Sequence, residues 1–364
     1  LAGVLQKLCK TYFVSDLLKD ILKDNQIREN LISNICENEF VCDVRKDLLK
    51  LSSQEVTRQL IEGVIMKKDS LTSFLSKQRY SLRPLHNFFF TRDASISIDD
   101  KVLIAKMANK VRDREALIME SIFDHHPAFH ATTLNPKTIP IDTSKVTIEG
   151  GDILVARHDI LLMGTGSRTT TEGVDFILKH LKGTREKKHI IVQELPYEPE
   201  SFIHLDMVFT FLDRDACMVY YPIILKPNRY QTVHISIENG KVVSIKNQEN
   251  LLAALQELGM DLKPVYCGGT SDAWVQQREQ WHSGANFFAF APGKVIGYER
   301  NVRTLDEMNK RGFEIIRASE VIAGNTHPDA YKKCVVSIEG SELARGGGGA
   351  RCMTMPFKRG EVEW

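Results

Sequence analysis

Four stretches of this chain set a carboxylate, an imidazole or a thiol on backbone that reads as strand or is rich in glycine. They are Thr91-Arg92-Asp93, Ile148-Glu149-Gly150-Gly151-Asp152, His204-Leu205-Asp206, and the run of four glycines from Gly346 to Gly349 that precedes Ala350-Arg351-Cys352. Side chains alternate along a strand, so His204 and Asp206 are expected on one face, with a proton carrier beside an anion. Taken alone, that pair is read more simply as a core histidine next to a surface aspartate. Glu149 before two glycines is likewise read most simply as a hairpin turn with its carboxylate at a solvent edge. The glycine run lacks the Gly-Lys-Ser/Thr ending of a phosphate loop. It is either a flexible connection or a place where backbone N–H groups and a substrate come close to a thiolate.

Taken together, one thiol, one imidazole and three carboxylates restrict the chemistry. Like charges sharing a cleft repel and drive one another to protonate, so a neutral substrate fits poorly and a cationic one removes the difficulty. Guanidinium is planar, always charged, and presents paired N–H donors that match carboxylates. A carbon bonded to three nitrogens is a poor electrophile and needs a strong nucleophile together with a proton donor for departing ammonia. A thiolate and a histidine supply both. The combination points to guanidine hydrolysis.

Other candidates carry less. His125, His126 and His130 have metal-like spacing, but Pro127 interrupts the helix and no cysteine or carboxylate completes the set, so no metal is expected. Trp274 and Trp281 read as packing residues, and Cys9, Cys36, Cys42, Cys217 and Cys334 as buried or inert thiols.

The elements that must carry these residues fall into two textures. Residues 1–78 repeat apolar side chains at three and four, as in Leu17, Leu18, Ile21 and Leu22, and predict a helical module of four or five helices. Within it, Ser52 and Glu55 read as a capping box. Residues 79–364 change to short apolar runs at 88–90, 146–148, 153–155, 160–163 and 189–193, interleaved with helical stretches at 100–123, 170–181, 250–258 and 305–311. Strand pairs alternating with single helices predict an α/β catalytic domain, and Asn239-Gly240 predicts a two-residue hairpin. Asp93, Glu149 and His204 recur at intervals near 55 residues, with similar strand ends at Cys267 and Cys352.

With 48 Lys+Arg against 47 Asp+Glu, a sequence-independent grip on nucleic acid is not expected, and the basic clusters at 67–68 and 185–188 read as solvated faces. No apolar run reaches the roughly 18 residues of a membrane span. Seven scattered cysteines without a CxxC pair fit reduced thiols, so a soluble, cytoplasmic protein is expected.

Asn87-Phe88-Phe89-Phe90-Thr91-Arg92-Asp93, Glu149-Gly150-Gly151-Asp152, His204-Leu205-Asp206 and Arg351-Cys352-Met353-Thr354-Met355-Pro356 together resemble the arginine deiminases, of the guanidino-group-modifying superfamily. The resemblance implies a five-bladed α/β propeller of ββαβ-type units with an inserted helical bundle. It implies Cys352 as nucleophile, His204 as general acid and then base, Asp93 and Asp206 as guanidinium clamps, and Glu149 as their electrostatic support. It also implies Arg112 and Arg168 on the substrate's α-carboxylate and Asn87 at its amino-acid end. The partner implied is L-arginine, with no metal or organic cofactor, no nucleic acid and no membrane, and a homo-oligomer is compatible. Agmatine deiminase and a catalytically silent arginine-binding protein are the alternatives. Two departures are visible: Gly347 stands where many members carry an arginine, with Arg345 two positions earlier, and the strand and loop that open the family's first blade are missing, so an incomplete first blade and a shortened chain are expected.

Overall fold

The computed structural model describes residues 1–138, 143–181 and 187–364. Among these, one pattern occurs four times: two antiparallel strands, a helix, and a strand parallel to the second of the pair. Antiparallel neighbours need only a tight turn, whereas a parallel neighbour needs a crossover, and the helix supplies it.

The first unit pairs Ser95–Ile98 with Lys101–Ile104 and returns through the helix Asp113–His125 to the parallel strand Thr132–Leu134. In the second, Ile153–Arg157 and Ile160–Thr165 are followed by the helix Thr171–Leu181 and the strand Lys188–Glu194. The third joins Phe209–Asp213 and Ala216–Val219 to Lys263–Tyr266 by way of the helix Leu251–Glu257. Its crossover also carries a hairpin, Thr232–Glu238 with Lys241–Gln248, which extends the second unit's sheet beside Lys188–Glu194. The expected turn is present, with Asn239 at φ 49° and Gly240 at φ 72°, the two positive values a two-residue hairpin of this twist requires. In the fourth unit, Phe288–Ala291 pairs with Lys294–Tyr298, and Cys334–Ile338 lies between Lys294–Tyr298 and Glu314–Arg317, parallel to both. The chain is mixed α/β.

Three local expectations are corrected. Residues 88–90 form a turn, not a strand, because Phe88 and Phe90 are each buried in a different core cluster. Residues 100–123 are not one helix: Val102, Leu103 and Ile104 complete a strand, and the helix begins at Asp113. A branched apolar run bounded by a turn at Asp99, φ 52°, is better satisfied by pairing than by helical packing. At 146–148 only Ile148 is bridged, to Lys106. Trp274 and Trp281 are also not packing residues, being 82% and 57% exposed. Of the basic cluster at 185–188, residues 185 and 186 lie outside the described residues, while Lys187 pairs with Glu238. Lys68 collects the carbonyls of Ser73, Ser76 and Gln78.

The N-terminal helices Val14–Ile21, Asn25–Glu39 and Ser53–Glu62 pack on the first unit's helix, sharing a core in which Leu18, Leu22, Ile32, Leu60, Ile118 and Ile122 are buried. The capping box of Ser52 and Glu55 starts the last of the three. The first helix, Ala2–Leu8, packs instead on the fourth unit, where Gly3 lies against Ile322. Among the described residues no helix is long and apolar enough to cross a membrane. Leu18→Ala should leave a cavity in this shared core and lower stability by roughly 2–5 kcal/mol in urea denaturation. A loss under about 1 kcal/mol would mean that the helices do not depend on it.

Candidate active site

Each of the first three units begins with one turn of helix that turns a functional side chain inward. Asp93 lies in Thr91–Ala94, just before the first strand. Glu149 precedes the turn Gly150–Asp152, and His204 precedes the turn Leu205–Met207, which contains Asp206. His204 and Asp206 therefore do not share a strand face: His204 is extended, and Asp206 belongs to the turn that follows. Nor is Glu149 on a solvent edge, since it is fully buried. The glycines after it are there for lack of space. A Cβ on Gly150 would lie 2.1 Å from the Arg92 carbonyl oxygen, and one on Gly151 would lie 2.5 Å from His204 Nδ1.

Cys352 follows the short helix Leu343–Gly346. The glycine run is packed, not loose. Gly347 takes the left-handed conformation at φ 82°, and a Cβ on Gly348 would meet the Phe90 ring at 2.7 Å. Tyr298 donates its hydroxyl to the Gly348 carbonyl at 3.0 Å.

These segments converge on one buried cluster. His204 Nε2 is 3.0 Å from Glu149 Oε2, and Nδ1 is 3.7 Å from Asp93 Oδ1. The thiol of Cys352 lies 3.8 Å from Asp206 Oδ2 and 4.0 Å from Oδ1. Each of the two aspartates has one oxygen held by an arginine of the protein. Arg112 Nη1 donates to Asp93 Oδ2 at 2.7 Å, and Arg351 Nη1 donates to Asp206 Oδ2 while its Nη2 reaches the Ile153 carbonyl. Asp93 Oδ1 is buried with no hydrogen-bond donor among the described residues. Buried acceptors are normally satisfied, so this oxygen suits an incoming N–H.

Burial works against the charge of His204, but Asp93, the hydrogen bond to Glu149, and Asp152 outweigh it and push the imidazole up to about 9. Burial would raise Glu149, but its hydrogen bond to His204, with Arg168 and Arg112 nearby, holds it below the usual carboxylate range. For Cys352, burial comes first and Asp206 and Asp93 add to it, driving the thiol well above its ordinary value. Asp152 is pushed up to about 6, chiefly by burial.

The remaining expected residues are placed less uniformly. Arg112 reaches the cluster, but its fork is turned to Glu115 through Nε and Nη2 as well as to Asp93. Arg168 stands at the rim, 22% exposed, with Nη1 3.8 Å from Glu149 Oε1. Asn87 is half-buried, and its carbonyl closes the turn to Phe90 that leads into Asp93. Arg345 pairs at the surface with Glu342 and stays away from the cluster. Cys267, grouped with the repeat by sequence, follows the last strand of its unit and is buried in the core. His126 caps its own turn by accepting from the Ala128 N–H. Asp93, Glu149 and His204 lie within the reach of a metal ion, yet Arg112 and His204 already bring positive charge there.

Sequence reasoning missed Arg351, Glu115, Arg92 and Asn286. Arg92 is buried and holds the far side of the cysteine loop, its amide donating to the Cys352 carbonyl and Nη2 to Thr354 Oγ1. Its position next to Asp93 was the available signal.

A model of the arginine deiminase family matches residues 4–359. The chain belongs to the arginine deiminase family. It is 33% identical to the arginine deiminase of Bacillus cereus, over 85% of this chain and 73% of that protein, and 34% identical to that of Listeria welshimeri, over 85% and 72%. Among solved structures it is similar to an arginine dihydrolase from the ornithine-ammonia cycle in cyanobacteria, at TM-score 0.49 and 16% identity, over 77% of this chain and 34% of that one. For this arginine deiminase family member, Gly151→Ala should displace the His204 ring and cut arginine turnover by about 100-fold or more. Wild-type turnover in that variant would show that the close approach of Gly151 does not set the ring's position.

Proposed function

We propose that the cluster hydrolyses L-arginine to L-citrulline and ammonia, with Cys352 as the nucleophile. The observation that carries this is the pairing of Asp93 and Asp206 around the thiol and imidazole: each has one oxygen fixed by an arginine of the protein, Asp93 Oδ1 faces His204 with no donor bonded to it among the described residues, and both Asp206 oxygens lie within 4.0 Å of the Cys352 sulfur. The two Oδ1 atoms, which no arginine among the described residues holds, fit the N–H donors of a guanidinium group.

The substrate cation also solves the nucleophile's difficulty. Buried beside two acids, the thiol is held in its neutral form, and a permanent positive charge between Asp93 and Asp206 favours loss of its proton to solvent and so the thiolate. The thiolate forms a bond to the guanidinium carbon. A C–N bond then breaks as His204 donates its proton to the departing nitrogen, releasing ammonia and leaving a thiouronium on Cys352. Water attacks that carbon, losing one proton to His204, and the C–S bond breaks as the new hydroxyl gives its other proton to solvent, where ammonia becomes ammonium, leaving citrulline and the free thiolate. Glu149 keeps His204 protonated until the proton is needed. Arg168 at the rim, with Arg112 turning part of its fork from Glu115, meets the α-carboxylate, and Asn87 lies toward the amino-acid end.

We read the four ββαβ units as blades of a five-bladed propeller around this centre, with residues 1–78 as an inserted helical module and 79–364 as the catalytic part. Three turns delivering side chains to one centre support that reading. Seven unpaired cysteines support a reducing, cytoplasmic setting.

Cys352→Ala should abolish citrulline formation, and turnover persisting in that variant would assign the nucleophile elsewhere. Because His204 acts as an acid and sits near 9, kcat/KM should fall as pH rises through about 9. Glu149→Gln removes a hydrogen-bonded anion and should move that fall to lower pH; an unmoved limb would mean that Glu149 does not hold the proton. Arg168→Ala should raise KM for arginine about 10-fold or more and leave agmatine, which has no carboxylate, nearly unaffected. Agmatine turned over faster than arginine by the wild type would overturn the carboxylate grip.

A further inference from the structure

The fourth unit, like the other three, sets a buried polar side chain just before its first strand, but a neutral one and without a helical turn. Asn286 stands just before the strand Phe288–Ala291, where Asp93, Glu149 and Asp206 stand before theirs, and it is 1% exposed. Its amide makes three bonds. Oδ1 accepts the backbone N–H of Arg351 at 3.0 Å and that of Cys352 at 3.2 Å, while Nδ2 donates to the Asp206 carbonyl at 2.9 Å. Two donors on one side and a carbonyl on the other fix which end of the amide is oxygen.

Resting on the reading of Cys352 as nucleophile and Asp206 as guanidinium clamp, we propose that Asn286 is the positioning residue that locks these two backbones into one frame and withdraws the Cys352 N–H from the reacting centre. The first half follows from the bonds themselves, since no other side chain joins both segments through hydrogen bonds to their backbones among the described residues. Gly349 gives space for it: a Cβ there would lie 2.6 Å from Asn286 Cβ. The second half concerns the kind of substrate. Enzymes that attack a carbonyl aim backbone N–H groups at the oxygen that becomes negative. A guanidinium develops no oxyanion and presents only donors. A free N–H beside it would oppose its charge and offer an amide carbonyl a foothold. With the Cys352 N–H tied to Asn286, the hydrogen-bonding side chain nearest the thiol is the acceptor Asp206.

The test is steady-state kinetics with L-arginine on wild type, Asn286→Ala and Asn286→Asp, together with melting temperature. Asn286→Asp keeps the shape and the oxygen that receives both N–H groups but sets an anionic oxygen against the Asp206 carbonyl. It decides the matter should the alanine variant not fold. For each folded variant kcat should fall roughly 10- to 100-fold, as expected of a misaligned attack, with KM held within about threefold. Asn286→Asp should also move the pH profile of Cys352 alkylation by iodoacetamide upward, a change that a merely structural role would not produce. Wild-type kcat in Asn286→Asp, or a loss expressed only in KM or melting temperature, overturns the inference. Failure of the wild type itself to turn over arginine would instead overturn the functional reading on which it rests.

Discussion

Three carboxylates, Asp93, Glu149 and Asp206, are buried around one point, and the rest of the structure is organised by the need to make that arrangement tolerable. An isolated buried charge costs several kcal/mol after relaxation, and like charges add repulsion. Here each acid has its own cationic partner: Arg112 for Asp93, His204 for Glu149, and Arg351 for Asp206. The partners are used sparingly. Arg112 and Arg351 each donate to only one oxygen of their aspartate. An acidic site of this kind is invisible in a total charge of +1.

Holding such groups in register requires backbone that can come unusually close. Gly150 lies against the Arg92 carbonyl, Gly151 against the His204 ring, and Gly348 and Gly349 against Phe90 and Asn286. The segments meeting there belong to different units, and Arg92 ties the first unit to the cysteine loop through bonds to Cys352 and Thr354. Bonds of this kind, buried and between distant segments, lose far more when one partner is removed than they contribute on average. Small changes in the supporting residues should therefore reach the chemistry without touching the substrate.

The functional residues were legible in the sequence to different degrees for physical reasons. Asp93, Glu149, His204, Asp206 and Cys352 could be singled out only as a set, because His204 with Asp206, Glu149 and the glycine run before Cys352 each have a simpler structural reading when taken alone. The near-55-residue interval matched the repeat for Asp93, Glu149 and His204, each at the turn that opens a unit, but not for Cys267, which follows the third unit's last strand, or Cys352, which follows the fourth unit. Asn286 escaped because the hairpin Thr232–Glu238 with Lys241–Gln248 enlarges the third unit, so that Asn286 follows Asp206 by 80 residues. An amide also carries no chemical signature of its own. The resemblance implies Arg112 on the substrate's carboxylate; that its fork also faces Asp93 and Glu115 depends on tertiary placement that spacing does not encode. The run Val102, Leu103 and Ile104 could have served a helix or a strand, and only its pairing with Ser95–Ile98 decided between them.

The central claim is that the sulfur of Cys352 bonds to the guanidinium carbon of arginine during turnover. Acid-quenched enzyme, mixed with excess L-arginine and mapped by peptide mass spectrometry, tests it most directly. The account predicts an adduct on the peptide containing Cys352 with the mass of arginine less ammonia, disappearing as substrate is exhausted. An adduct on any other residue, or steady turnover by enzyme whose Cys352 has been fully alkylated beforehand, would contradict it.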